Sequence, residues 1–331
     1  MPSVVVITGA SAGVGRAAAL AFAREGAAVG LIARGPERLE ETRDEILRQG
    51  GRALCLPADV ASAAQLEDAA DRAERELGPI DVWVNNAMAT LFSPALEASP
   101  EEYERATQVT YLGTVYGTLA AVRRMSQRNR GCVVQVGSAL AYRSIPLQAP
   151  YCAAKHAVKG FTDSLRSELL HDGVGVHLTM VQLPALNTPQ FSWCRSRLGR
   201  HPKPVGRIFQ PEVAAQAIVW AAHHRRREVH VGWPTVQAIT GQKFIAKILD
   251  RYLAKTAYEG QLMNEPLPGG RRDGNLFVPV PGRFGAHGRF DRKARGRSLQ
   301  LWLNLNRSWI VPVSLGAGAL TLLLLRAVGA S

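Results

Sequence analysis

Short, wholly apolar runs alternate with stretches of helical periodicity along the first 230 residues. Val4–Thr8, Ala28–Ala33, Arg52–Leu56, Val82–Asn85, Cys132–Gly137, Gly175–Leu183 and Glu228–Val231 read as strands. They lack the alternation of a half-exposed strand. That is the pattern of a parallel sheet covered on both faces. Helical patterns fill the intervals at Val14–Glu25, Pro36–Arg48, Ala63–Glu76, Pro100–Arg128, Tyr151–His171 and Pro211–Ala222. Pro36, Pro100 and Pro211 stand where a first helical turn accepts proline. Strand–helix alternation of this kind builds right-handed βαβ units. An α/β fold with a doubly wound parallel sheet is therefore predicted.

After Lys255 the composition changes. Residues 1–255 are expected to form the main domain, 256–297 a basic Pro/Gly-rich linker, and 298–331 an apolar terminal segment. The net charge is +13, and residues 271–307 alone carry nine Arg/Lys against two Asp. Such a tail suits an anionic surface. No helix-turn-helix or zinc pattern supports nucleic-acid binding. Trp309–Leu325 is an uncharged run of 17 residues between Arg307 and Arg326. As a helix it would span roughly 26 Å, just short of a hydrocarbon core. With Trp302 and Trp309 at the interface and the basic cluster before it, a C-terminal membrane anchor on a cytoplasmic domain is expected. The alternative is an apolar helix docked on the domain or on a partner. Lys243, Lys247, Arg251 and Lys255 recur at helical spacing beside Phe244 and Ile248, a basic amphipathic pattern that suits anionic lipid or plain solvent. Val4–Thr8 is too short for a signal-peptide core, so no leader is expected. Cys55, Cys132, Cys152 and Cys194 lack metal-ligand spacing, and reduced thiols without a metal are expected.

The first strand runs into Gly9-Ala10-Ser11-Ala12-Gly13-Val14-Gly15, and a helix follows. Glycines allow a tight turn and close approach of backbone to a diphosphate, which the helix N-terminus attracts. A strand before and a helix after make this far more specific than a bare glycine triplet. The second strand ends at Arg34, where an NAD site usually places a carboxylate. A cation there favours the 2′-phosphate of NADP.

Tyr151 and Lys155 lie four residues apart on a helical pattern and so share a face. A nearby ammonium is expected to lower the phenol's pKa, fitting Tyr151 for acid–base work. Ser138 follows the fifth strand, at the end where doubly wound sheets bind ligands. Its hydroxyl is placed to hold a substrate oxygen. These features point to hydride transfer between NADP(H) and a carbonyl/alcohol pair.

Together the residues resemble the short-chain dehydrogenase/reductase family over roughly residues 3–235. The resemblance rests on Thr8–Gly15, Asp59-Val60, Asn85-Asn86-Ala87, Ser138 and Tyr151-Cys152-Ala153-Ala154-Lys155. It implies a Rossmann-type sheet of order 3-2-1-4-5-6-7. It places Asp59 and Val60 about the adenine, Asn86 with Ala87 along the cofactor, and Lys155 on the nicotinamide ribose. Thr188, after Pro184, would meet the carboxamide. Two departures stand out: Thr110 replaces an Asn of the proton relay, and Pro184-Ala185 replaces Pro-Gly. The family often pairs through its long helices, so a homo-oligomer is expected. The segment 186–209 would form a variable lid, its Phe191, Trp193, Leu198 and Phe209 either facing an apolar substrate or packing on the core. The competing reading is an NADP-binding scaffold without turnover, but such a protein has no need of Ser138, Tyr151 and Lys155.

Overall fold

Seven parallel strands form one sheet in the computed structural model, which describes residues 3–307. They are β1 (Val4–Thr8), β2 (Ala28–Ala33), β3 (Arg52–Pro57), β4 (Ile80–Asn85), β5 (Cys132–Val136), β6 (His177–Gln182) and β7 (Glu228–His230). Their spatial order is β3-β2-β1-β4-β5-β6-β7, as expected. The order reverses between β1 and β4, which opens a crevice beyond the carboxyl ends of the strands.

Eight helices accompany the sheet: α1 (Gly13–Arg24), α2 (Pro36–Arg48), α3 (Ala63–Leu77), α4 (Pro100–Thr107), α5 (Gly113–Gln127), α6 (Ala149–His171), α7 (Pro211–His223) and α8 (Trp233–Gly260). Alternate residues of β1 serve two cores. Val5 and Ile7 face α1, α2 and α7, while Val4 and Val6 face α3, α5 and α6. Each side chain so buried contributes about 1.5–3 kcal/mol. This double coverage explains why the strand segments read as unbroken apolar runs. Inside the second core Asn85 donates to Thr118 Oγ1 at 2.9 Å and to Gln135 Oε1 at 3.0 Å, tying β4, β5 and α5 together.

The single helix expected over Pro100–Arg128 is interrupted. It begins with a capping box, Ser99 with Glu102, then passes through a π-helical turn at Gln108–Leu112 before α5. Gly113 sits hard against Val60: a Cβ there would lie 2.7 Å from a Val60 methyl. The widened turn accommodates that close approach, a device frequent near functional sites.

Residues 256–297, read from sequence as a linker, lie on the domain. Leu262–Pro266 pairs antiparallel with Arg200–Pro202, and Leu276 and Phe290 are buried. Proline and glycine content suggested a free segment, yet here they shape a close-fitting one. The helix Leu299–Leu305 docks through buried Leu301 and Leu305. Phe244, Ile248 and Tyr252 of α8 are exposed beside its lysines. Among the described residues no helix is long and apolar enough to cross a membrane. The apolar run Trp309–Leu325 lies outside them.

Candidate active site

The crevice is built from β1 outward. Thr8, the last residue of β1, locks it to the end of β4. Its hydroxyl donates to Val84 O at 3.4 Å and accepts from Asn86 N at 2.9 Å and Ala87 N at 3.0 Å. Asn86 then donates through Nδ2 to Thr8 O at 3.0 Å and Gly9 O at 3.3 Å. Its amide is thus spent on holding the glycine turn, a role that strand and helix patterns do not reveal. Gly13 has φ +57°, a left-handed conformation that favours glycine. Gly15 admits no side chain, because a Cβ would lie 2.1 Å from Gly9 O. Helix α1 begins at Gly13 without a side-chain cap, and the Gly13 amide is met by a backbone carbonyl, Gly285 O, at 3.2 Å.

A cavity of about 560 Å³ occupies this crevice. Gly9, Ser11, Gly13 and Val14 line it, with Arg34, Asp59 and Val60. Asn86, Ala87, Pro184 and Thr188 also line it, as do Ser138, Tyr151 and Lys155. Asp59 is paired with Arg105 at 2.5 Å. Arg34 donates to Asn275 O at 2.6 Å and Phe277 O at 2.9 Å, and burial pulls its pKa below the ordinary value. Thr110 is not brought to the cavity. Its hydroxyl is closed onto the backbone of Ala89, accepting from N at 3.0 Å and donating to O at 3.1 Å. Any relay through this residue would have to use its carbonyl, which already accepts from Thr114 Oγ1 at 2.8 Å.

Ser138 caps a short helical turn, its Oγ accepting from Leu140 N at 3.1 Å. Tyr151 and Lys155 stand on the first two turns of α6. The residue before that helix's entry, Leu147, holds φ +68° and is buried. The electrostatics depart from expectation. Burial pushes the Tyr151 phenol above its usual value, and a hydrogen bond to Ser138 draws it back only in part. The Lys155 amine donates to Val136 O at 2.7 Å. The lysine Nζ lies 5.8 Å from the tyrosine ring centre. Lys155 is 3% exposed, and burial draws its pKa from 10.5 to about 8.

That burial has a thermodynamic consequence. Folded, the amine holds its proton only below about pH 8; unfolded, it holds it to about pH 10.4. Between these values the unfolded chain binds the extra proton, so stability rises with pH across this window. The penalty is fully present below it. Its size is about 3 kcal/mol. Lys155→Met removes it. The difference in urea-unfolding free energy between variant and wild type is expected to move against the variant by about that amount from pH 7 to pH 10.5. A difference that does not change with pH would refute the cost assigned to this buried ammonium.

On the lid, Phe191, Leu198 and Phe209 are buried and pack on the core, while Trp193 stays half-exposed at the cavity. Trp193 meets Phe284 edge-on, ring centres 4.5 Å apart, with Arg38 lying 5.4 Å from the Trp193 ring centre. The contact of Phe284, and those of Asn275 and Phe277 with Arg34, come from the tail. No periodicity or motif in the sequence signals them.

Comparison with known proteins agrees with this architecture. The family model described as short chain dehydrogenase matches residues 3–196. The chain is 32% identical to an uncharacterized oxidoreductase YxnA of Bacillus subtilis (strain 168), over 95% of this chain and 88% of that protein. It is 36% identical to the human dehydrogenase/reductase SDR family member 7, over half of each chain. It is 32% identical to the probable oxidoreductase EphD of Mycobacterium tuberculosis (strain ATCC 25618 / H37Rv), over 77% of this chain and 44% of that protein. With the glycine turn, the reversal of strand order and the family model all falling on the same segment, the chain belongs to the short-chain dehydrogenase/reductase family of Rossmann-fold oxidoreductases.

Proposed function

We propose that the protein transfers a hydride between NADP(H) and a carbonyl or secondary alcohol carried on an apolar substrate. The observation that carries this reading is the convergence of Ser138, Tyr151 and Lys155 on the cavity that the glycine turn opens into. The residues fit a dinucleotide: an uncapped helix start, a glycine that no Cβ could replace, and a cation at the end of β2. Amides of the Gly9–Gly15 turn would hold the diphosphate and Arg34 the 2′-phosphate. Asp59 and Val60 would flank the adenine, Lys155 would hold ribose hydroxyls, and Thr188 would meet the carboxamide. When bound, the cofactor supplies or accepts the hydride.

In this reading Ser138 holds the substrate oxygen, and Tyr151 gives it a proton from its hydroxyl. A phenol kept protonated by burial suits the reducing direction at neutral pH. Lys155, once its ammonium turns toward the ribose, stabilises the phenolate left behind. Ile145, Leu186 and Phe191 add apolar surface to the cavity that Ser138, Tyr151 and Lys155 line. The decisive experiment screens ketones and aldehydes for oxidation of NADPH and NADH, with Tyr151→Phe as control. Turnover that survives in the variant would remove Tyr151 as proton donor.

We also read the C-terminal run Trp309–Leu325 as a membrane anchor, supported by its length, its lack of charge and the basic residues before it. The exposed Phe244 and Ile248 beside Lys243 and Lys247 would then lie against the same surface. Full-length protein is expected in the membrane fraction, and protein ending at residue 297 in the supernatant. Recovery of both in the supernatant without detergent overturns the anchor.

A further inference from the structure

The tail between Gly274 and Phe290 crosses the mouth of the crevice, and its holds fall on the groups assigned above to the cofactor. Arg34 takes the carbonyls of Asn275 and Phe277. The first amide of α1, Gly13 N, donates to Gly285 O at 3.2 Å. Arg16 donates to Phe284 O at 3.3 Å, and Arg105 to Leu276 O at 3.2 Å. Leu276 itself is wholly buried in the apolar cluster that contains Val60 and Val109. The far end of the strap is pinned where Gly288 N donates to Asn187 O at 3.1 Å and Phe290 N to Asn187 Oδ1 at 2.9 Å. The hydrogen bonds at the cofactor end share one sense, a carbonyl oxygen of the strap facing a cation or an amide of the domain, and Arg283 adds an ion pair with Glu41 of α2 at 3.2 Å.

We propose that this strap is a gate that competes with the dinucleotide, its carbonyls occupying at Arg34 and Gly13 the donors that the 2′-phosphate and the diphosphate require. The inference rests on the cofactor reading given above. A carbonyl carries only a partial charge. A phosphate brings full charge: it turns the guanidinium's ion–dipole contact into an ion pair that can be bidentate, and it turns the neutral bond at Gly13 N into a charge-assisted one, roughly twice as strong. Phosphate therefore displaces the strap at both points, and the strap lifts as the cofactor enters. The apparent affinity is lowered by the fraction of molecules that stand open. NADPH, with its 2′-phosphate, opens the gate at Arg34; NADH lacks the group that would do so. The strap lies within the length shared with the Bacillus oxidoreductase, which covers 95% of this chain. It lies beyond residue 196, where the family model ends.

Two substitutions, both in the strap itself, unseat it. A Cβ on Gly288 would lie 2.4 Å from Thr188 O, so Gly288→Val cannot seat. Leu276→Ala empties the buried anchor. In full-length protein, stopped-flow fluorescence of NADPH is expected to show association at least ten-fold faster, and Kd at least ten-fold lower, in both variants. In wild type, NADPH is expected to speed tryptic cleavage at Arg283 several-fold, and NADH to do so less. Unchanged or weaker NADPH binding in the variants, or protection of Arg283 by NADPH, overturns the gate and leaves the oxidoreductase reading standing. If neither wild type nor variants bind either nucleotide, the cofactor reading itself falls and the gate with it. Should both variants fail to fold, the cleavage measurement on wild type decides alone.

Discussion

Tyr151→Phe is expected to lower kcat/KM for carbonyl reduction by about 10²- to 10⁴-fold, the usual worth of a positioned general acid. The ring is kept and only the hydroxyl is lost. NADPH affinity should therefore change little, because the glycine turn and Arg34 do not touch the phenol. The split is diagnostic: turnover falls while cofactor Kd holds. Equal losses in both would mean that Tyr151 supports the architecture of the cavity rather than the proton transfer. The phenol's raised pKa adds a direction. In the oxidising direction the base form is needed, so alcohol oxidation should keep rising with pH beyond neutrality, whereas reduction at pH 7 finds the donor already protonated. A steady-state comparison of both directions from pH 6 to 10 would show this.

Gly15→Ala is expected to have the next largest effect, and by different physics. The added methyl would meet Gly9 O at 2.1 Å and Asn86 Nδ2 at 2.5 Å, neither of which is the free end of a flexible chain. Gly9 O and Asn86 Nδ2 are already bonded to each other, so α1 must withdraw from the turn. Overpacking of this kind costs about 1–3 kcal/mol. Because the withdrawn amides are those that would face the diphosphate, NADPH Kd should rise about 10- to 100-fold. Thermal unfolding and fluorescence titration measure the two losses separately. A variant with wild-type Tm and Kd would show that α1 does not rest on the turn as closely as described.

The sheet was legible in the sequence because burial on both faces leaves a clear trace. Strand β2 is apolar from end to end, β1 is apolar up to Thr8 and β4 between Asp81 and Asn85, and the helices between them keep their period. The glycine turn and Tyr151 with Lys155 were legible for a similar reason: each is a local spacing with a physical meaning. What could not be read was long-range and made by backbone. The close approach of Gly113 to Val60 joins residues some fifty positions apart. Asn86 proved to brace the turn, and Thr110 to close onto Ala89, because side-chain bonds to distant main chain leave no periodic signal. The sign of the Tyr151 shift was missed because sequence spacing places two groups on one face but does not say how deep they lie. The residues after Lys255 misled most. Pro279, Pro281 and the neighbouring glycines look like a spacer, whereas here they trace a path along a surface.

The strap's main holds are made by its own carbonyl oxygens, which every amino acid carries. Its sequence is therefore free to drift widely while its course is kept, provided that bulky apolar groups stay at 276 and 290 and no side chain is added at 274 or 288. Relatives compared letter by letter will show little there. Relatives compared by the path of the chain across the mouth of the crevice are the ones that will reveal whether they govern access in the same way.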